Sequence, residues 1–541
     1  MVGAPFRTND SLYTSGKVYF IFGGDSLSGA YSLSDPNNYG AYLIGEASYD
    51  RLGYSLSYAG MTLGDGTDLS LISAPYNNSY KGRSYLCAIQ KNSPPSAVDS
   101  VSIEESSIWF GQTIHIELTG TDADPNSLDV AVVKVTTETD PNGIMVRLIE
   151  TGINTGIYQA EVDVDYKASN PSTKRIKADL GDNITVTSVD DPSEQDSVEL
   201  PVPTINVTHI KFDHEGGEDS DAVDIREDCN HDIPIPEWVK DERNEYACYL
   251  KDTNVSIMAR FSVSPNTVSS AIIGADSIDG SGSLGDVLEE TVPFTDGNSP
   301  YVKFWINGTT PSIVDRTLGD RWQWYFENVD GSGSEENNAN ISGPHKICTI
   351  LDDPQSPMTE PWLRVLKDAC DWAEGESTEL GALEEITIQA LVGDVGSEWK
   401  DYDGSRSHAY GTTFNLTAFI DANWADCRDM SACVHVYSRA IGCSTRCRII
   451  DGPFYCKPIW PVGYDTPLGA GTPWNFHQVA VRQDDPNQVY DACVGLYLPG
   501  GWDTPTNMAI YGSYKYYLYL GPILPFGGWN PQTAFNYTTI L

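Results

Sequence analysis

Apolar and polar residues alternate at a period of two along most of this chain, the spacing that gives a strand one buried and one solvated face. The stretch 98–203 shows it in Ile114-His115-Ile116-Glu117-Leu118, Val130-Ala131-Val132-Val133-Lys134-Val135 and Ile184-Thr185-Val186-Thr187. No helical stripe interrupts it, so a β-sandwich is the natural way to bury these apolar faces. Residues 204–342 read the same way, with Val255-Ser256-Ile257-Met258-Ala259, Val302-Lys303-Phe304-Trp305-Ile306 and Trp322-Gln323-Trp324-Tyr325-Phe326 as strands between acidic Gly/Ser loops. Shorter alternations, such as Val18-Tyr19-Phe20-Ile21-Phe22, lie among Gly, Ser, Tyr and Asp over the first 91 residues and predict short strands joined by tight turns.

The period changes after Pro344. Trp362, Val365, Leu366, Ala369 and Ala373 recur at helical spacing, with Thr359 placed as N-cap and Pro361 in the first turn. Further helices are predicted over 379–391 and 427–441, followed by strands to the end. The predicted architecture is multidomain and mainly β: 1–91 a β-repeat fragment, 97–203 a β-sandwich, 204–342 a second sandwich-like domain and 343–541 an α+β domain. A length of 541 residues, too much for one core, agrees with this division.

Charge narrows the function classes. With 76 Asp and Glu against 33 Lys and Arg, the net charge of −43 opposes contact with phosphate backbones and argues against nucleic-acid binding. Such acidity fits a salt-adapted surface or a Ca²⁺-decorated extracellular one. Mean hydropathy is −0.31 and no apolar run is long enough to span a bilayer. Met1-Val2-Gly3-Ala4-Pro5 is not a signal peptide, so a chain that begins inside a longer precursor is expected. Asn-x-Ser/Thr sequons at Asn77, Asn183, Asn206, Asn254, Asn307, Asn340, Asn415 and Asn536 fit N-glycosylation and an extracellular or cell-surface location. Eleven cysteines, an odd number, leave at least one free thiol if the others pair. Cys229 and Cys248 flank a loop they could staple, and the spacing of Cys433, Cys443, Cys447 and Cys456 lacks the paired knuckles of a zinc ribbon.

The N-terminal region contains an internal repeat. Val2-Gly3-Ala4-Pro5 followed by Gly16-Lys17-Val18-Tyr19 matches Ile72-Ser73-Ala74-Pro75 followed by Gly82-Arg83-Ser84-Tyr85, with Gly45-Glu46 and Gly64-Asp65-Gly66 between them. This resembles the FG-GAP repeat of integrin-type β-propellers, which implies a propeller blade with a free edge suited to self-association. The family's Ca²⁺ loop is shortened here: Asp65 and Asp68 remain, Thr62 stands at the leading position, and a Gly-Asp turn is expected. Farther on, Glu150-Thr151-Gly152-Ile153-Asn154-Thr155-Gly156-Ile157-Tyr158 resembles a recurrent element of Ig-like modules in large prokaryotic surface proteins. Asp122, Asp124, Asn126 and Asp129 offer oxygen ligands at a loop spacing suited to structural calcium, and equally the Asp and Asn of a solvated turn.

Candidate chemistry concentrates near Cys427. Asp426 is a natural N-cap and Asp429 stands at the capping-box position, which puts Cys427 first in a helix whose buried stripe is Met430, Val434, Tyr437 and Ile441 and whose stop is Gly442. A thiol there feels the positive end of the helix dipole, which favours thiolate, and Arg428 partly offsets the two aspartates. An imidazole partner is still needed. His435 lies two turns along the same helix, out of reach, whereas His477 sits in an alternating segment followed by the turn Asp484-Asp485-Pro486-Asn487 and the short strand Val489-Tyr490-Asp491-Ala492-Cys493. A hairpin brings His477 and Asp491 to neighbouring strands, giving nucleophile, base and orienter in Cys427, His477 and Asp491.

That order, with the helix ending in Ala440-Ile441-Gly442 and the strand Thr445-Arg446-Cys447-Arg448-Ile449-Ile450-Asp451-Gly452, resembles the core of the transglutaminase-like (papain-like cysteine enzyme) superfamily over 411–494. The resemblance implies acyl transfer through a Cys427 thioester onto an amine or water, with a protein or peptide substrate and no required cofactor. Gln478 replaces a common Ala after the histidine and Ala492 a common Pro after the aspartate, which leaves substrate preference open. The backbone N–H of Cys427 is the candidate oxyanion donor, and Trp424 is placed to shape the pocket. The competing expectation is a structural or adhesive surface or filament protein, bound to other surface proteins, in which this domain is inert.

Overall fold

A computed structural model describes residues 2–7, 14–20, 41–44, 48–61, 68–75, 82–89, 95–122, 128–214, 220–278, 284–333, 335–392, 400–506, 508–509, 513–522 and 530–541. The chain is mainly β and divides into two compact units, Met1–Pro201 and Val202–Leu541.

In the first unit the internal repeat is a structural one. Val2 pairs with Tyr19, Gly3 with Val18 and Ala4 with Lys17; in the second copy Ile72 pairs with Tyr85, Ser73 with Ser84 and Ala74 with Arg83. Equivalent residues therefore meet in the same antiparallel register, and Val18, Leu52, Ile72 and Ala74 bury together. Gly53 (φ +86°) donates its N–H to Ser73 and lies so close to Gly3 that a Cβ on Gly3 would stand 2.2 Å from the Gly53 oxygen. The intervening Gly45-Glu46 and Gly64-Asp65-Gly66, with Thr62, lie outside the described residues, while Asp68 opens the strand Asp68–Ala74.

Residues 97–199 form an eight-stranded sheet that includes β1 (Thr113–Thr121), β2 (Val130–Thr136), β3 (Ile144–Glu150) and β4 (Ile157–Asp165). Their alternation is realised as expected: Ile144, Val146 and Leu148 point inward, as do Tyr158, Ala160, Val162 and Val164. The sheet closes on itself where the Ile103 N–H of one edge strand donates to Asp196 of the other, 2.9 Å away.

In the second unit a ten-stranded sheet runs from Thr204 to Ile350 among the described residues, around an edge-to-face cluster of Phe261, Phe304 and Trp324 with centroids 5.1–5.8 Å apart. Its strand Asn337–Ile350 continues past residue 342, where the sequence places a boundary, and Cys348 and Ile350 join the core of the helices that follow. Those helices are α1 (Leu363–Trp372), α2 (Glu379–Val392), α3 (Leu416–Asp421) and α4 (Cys427–Ala440). They pack with the antiparallel strands β5 (Thr445–Cys456), β6 (Thr472–Arg482) and β7 (Gln488–Tyr490). Helix α1 starts later than predicted, with Trp362 at its N-cap. The Pro361 carbonyl accepts from the Arg226 N–H and the Leu363 N–H donates to the Arg226 carbonyl, a bridge that holds Trp362 extended, so Thr359 and Pro361 fall outside the helix. Among the described residues no helix is long and apolar enough to cross a membrane.

The cysteines do not pair as the sequence reading allows. Cys229 and Cys248 are both free thiols, as are the other described cysteines, and Cys248 lies directly opposite Cys348 on a parallel strand. The sequon residue Asn340 serves the fold: its amide accepts from the Val207 N–H and donates to the Val207 carbonyl.

Glu237 gives this unit a pH dependence. Burial pushes its carboxyl up to about 7 against the pull of the Phe212 and Asp213 N–H groups it accepts from, with the charge of Asp213 adding to the rise. The folded state thus holds a proton that the unfolded chain releases near pH 4.5. Its contribution is full below about pH 4.5 and lost as pH rises through about 7, on the order of 3 kcal/mol. Thermal melts from pH 4 to pH 8 should therefore show a smaller decline for Glu237→Gln than for the wild type; parallel curves would refute the assignment.

Candidate active site

Helix α4 begins where the sequence places it. The Asp426 carboxylate accepts from the N–H groups of Arg428 (2.9 Å) and Asp429 (3.0 Å), and the Asp429 carboxylate accepts in return from the Asp426 N–H at 3.2 Å. Gly442 (φ +90°) follows the C-cap Ile441, and a side chain there would meet the Asp352 carbonyl. The helix buries far more than the expected stripe: nearly every residue from Cys427 to Ala440 is inaccessible, so it is the central rod of its domain rather than a surface helix.

Asp429 does more than cap. Its Oδ1 accepts from the Ser407 hydroxyl (2.9 Å) and the N–H groups of His408 (2.7 Å) and Ala409 (2.9 Å). The His408 ring then stacks on Trp424 at 3.9 Å. Nothing in local spacing announces this strap, because its partners lie about twenty residues upstream.

The predicted hairpin is present: Ala480 of β6 pairs with Tyr490 of β7, and Asp491 follows directly. His477 Nε2 and Asp491 Oδ2 are 2.9 Å apart, both side chains essentially inaccessible. Asp491 also accepts from the Tyr514 hydroxyl (2.8 Å) and the Cys493 N–H (2.9 Å). With three donors on the carboxylate, the imidazole carries its proton on Nε2 and turns a bare Nδ1 away from the aspartate; that atom has no hydrogen-bond partner among the described residues. The Trp474 ring packs edge-on to the imidazole at 4.4 Å and is itself backed by Tyr402. Tyr514, Trp474 and Tyr402 were not singled out from sequence.

Cys427 lies near this pair, with no hydrogen bond joining its sulfur to His477 Nδ1. The N–H of Gln478, the residue next to His477, and the charge of Asp491 both act on its thiol. Burial pushes the thiol well above its ordinary value, and the charges of Asp426 and Asp491 add to that. The Gln478 N–H and Arg428 oppose the rise without reversing it. The expectation that the helix terminus favours thiolate is thus outweighed by desolvation, and the resting sulfur is a neutral thiol. His435 is bonded to Thr445 inside the core, 3.2 Å away, and takes no part.

A cleft of about 420 Å³ is walled by Arg428 and Gln478, the sequence neighbours of Cys427 and His477, together with Asn475, Phe476, Asp451 and Tyr537, and by none of Cys427, His477 and Asp491 themselves. A larger cavity of about 470 Å³, between Trp460, Tyr464, Trp502 and Leu391, is lined by none of the three residues.

No known family's sequence pattern matches the chain, and no curated protein matches it. Similar solved structures include FdeC, an Escherichia coli adhesin (12% identity, 54% of this chain and 81% of that one, TM-score 0.15). A chimeric titin Z1Z2-Z1Z2 tandem covers 46% of this chain and 98% of its own at 12% identity and TM-score 0.13. Alpha-2-macroglobulin from Escherichia coli covers 55% and 20% at 11% identity and TM-score 0.15. Scores at this level carry no argument about fold or activity.

The structure describes two of the four residues expected to hold calcium. Asp124 and Asn126 lie outside the described residues, while Asp122 and Asp129 lie with Glu150, ligand oxygens all within 4.8 Å of one another. Glu150 carried a legible signal: the period-two row that turns Ile144, Val146 and Leu148 inward carries Glu150 inward too.

Proposed function

We propose that the region around Cys427 is a cysteine acyl-transfer site of transglutaminase-like character. The observation that carries this reading is the Asp491–His477 hydrogen bond of 2.9 Å, at a place where the charge of Asp491 also acts on the Cys427 thiol. Cys427 attacks a carboxamide or peptide carbonyl from the cleft beside Arg428 and Gln478, forming the S–C bond as its proton passes to His477 Nδ1. Asp491 stabilises the resulting imidazolium. Collapse of the tetrahedral adduct breaks the C–N bond, and His477 returns the proton to the leaving amine. A primary amine or water then releases the acyl group from the thioester, giving a crosslink or a hydrolysed product. Because the resting sulfur is a thiol, proton transfer accompanies attack instead of preceding it.

The acidic surface, the sequons and the repeat that resembles FG-GAP support an extracellular or cell-surface setting with protein substrates or surface partners. One observation favours the rival reading of an inert structural or adhesive domain: Cys427 is only 4% exposed. Timed iodoacetamide labelling read by peptide mass spectrometry separates the two. Half-buried Cys229 labels first; an active site then requires Cys427 to label well ahead of the equally helical Cys433, and His477→Ala to slow it. A paired assay with glutamine-containing peptides, with and without a biotinylated amine, should give amine adducts or hydrolysis that vanish in Cys427→Ala. Equal rates for Cys427 and Cys433 with no product would leave the inert scaffold.

A further inference from the structure

We propose that Asp122, Asp129 and Glu150 hold a calcium ion at one end of the 97–199 sandwich, with Tyr158 hydrogen-bonded to water on the ion. The three carboxylates arrive from separate elements: Asp122 just after β1, Asp129 just before β2 and Glu150 at the end of β3. Oxygens within 4.8 Å of one another match ligands about 2.4 Å from a shared calcium; magnesium's shorter bonds of about 2.1 Å suit a tighter set.

Glu150 is built for the task. It is 3% exposed, and its Oε1 accepts from the N–H groups of Thr155 (2.8 Å) and Gly156 (2.9 Å) and its Oε2 from that of Asp129 (3.0 Å). Three N–H donors on its two oxygens suit an ionised carboxylate. Gly156 (φ +63°) closes the site, since its oxygen accepts from Gly120 and a Cβ there would stand 2.3 Å from the Gly120 oxygen. That contact lays the Glu150-to-Gly156 loop against the strand that leads into Asp122.

The independent observation is Tyr158. It pairs directly with Glu150 across β3 and β4, so the two side chains share the inner face. The residue is wholly inaccessible, yet its hydroxyl has no hydrogen-bond partner among the described residues. A buried donor left open beside three carboxylates is the counterpart of a metal-bound water.

The full chain, stripped with a chelator, should bind Ca²⁺ in calorimetry with a dissociation constant of about 1 mM or below, the range of extracellular modules. Its melting temperature should rise by several degrees, and Mg²⁺ should do markedly less. Asp129→Asn should abolish the shift. Asp122→Asn, which disturbs none of the hydrogen bonds that hold Glu150, should do the same while melting like the stripped wild type. Terbium should give tyrosine-sensitised emission that falls in Tyr158→Phe. Absence of binding, equal stabilisation by Mg²⁺, or a Ca²⁺ shift retained in Asp122→Asn would each overturn the assignment.

Discussion

Asp491→Asn should lower any acyl-transfer rate by about 10³–10⁴-fold, the scale expected when the orienting carboxylate of a triad is lost. An asparagine amide can offer its NH₂ to His477 Nε2, driving the ring proton to Nδ1, where it blocks the base. With the NH₂ in the place of Oδ2, the Cys493 N–H keeps its oxygen and the Tyr514 hydroxyl turns from donor to acceptor, so the loss of stability should be about 1 kcal/mol. Asp491→Ala strands three buried donors, His477 Nε2, Tyr514 Oη and Cys493 N, and should additionally cost about 3 kcal/mol or more. Rate and urea denaturation measured on both variants separate the roles. A full rate in Asp491→Asn would remove the aspartate from the mechanism.

The largest loss of stability is expected from Asp429→Ala, about 3–5 kcal/mol. The fully buried carboxylate serves the hydroxyl of Ser407 and the N–H groups of Asp426, His408 and Ala409, and alanine serves none of them. Asp429→Asn retains the Oδ1 contacts and should cost far less, about 1 kcal/mol. Because the same hydrogen bonds fix the first turn of α4, the alanine variant should also release Cys427 from its setting, seen as faster alkylation in the folded fraction. An alanine variant within about 1 kcal/mol of wild type would show that the 407–409 strap is held by other means.

Much of this was legible in the chain, where the signal was local. A capping acid, a second acid three residues on and a glycine stop sufficed to place α4 to within a residue, and alternation around an Asp-Asp-Pro-Asn turn sufficed to place His477 near Asp491. Period-two alternation likewise located the strands of both β regions. What escaped depends on distance along the chain. Tyr514 reaches Asp491 from 23 residues away. The helix N-terminus was read as an activator because the dipole is visible in sequence, whereas the burial that outweighs it comes from every element packed around α4. The start of α1 was misplaced for the same reason: Pro361 favours a first turn, but the Arg226 main chain claims the segment. Within the motif 150–158, only the inward phase of β3 sets Glu150 apart from an ordinary turn acid.

The protonated, enclosed state of Cys427 bears on how long the protein lasts. Peroxide attacks thiolates, so a neutral sulfur shielded from bulk water is slow to enter the sulfenic-to-sulfonic sequence of damage. On the acyl-transfer reading proposed above, readiness at rest is exchanged for durability, and the sulfur survives exposure to oxidants until a bound acyl group draws its proton away.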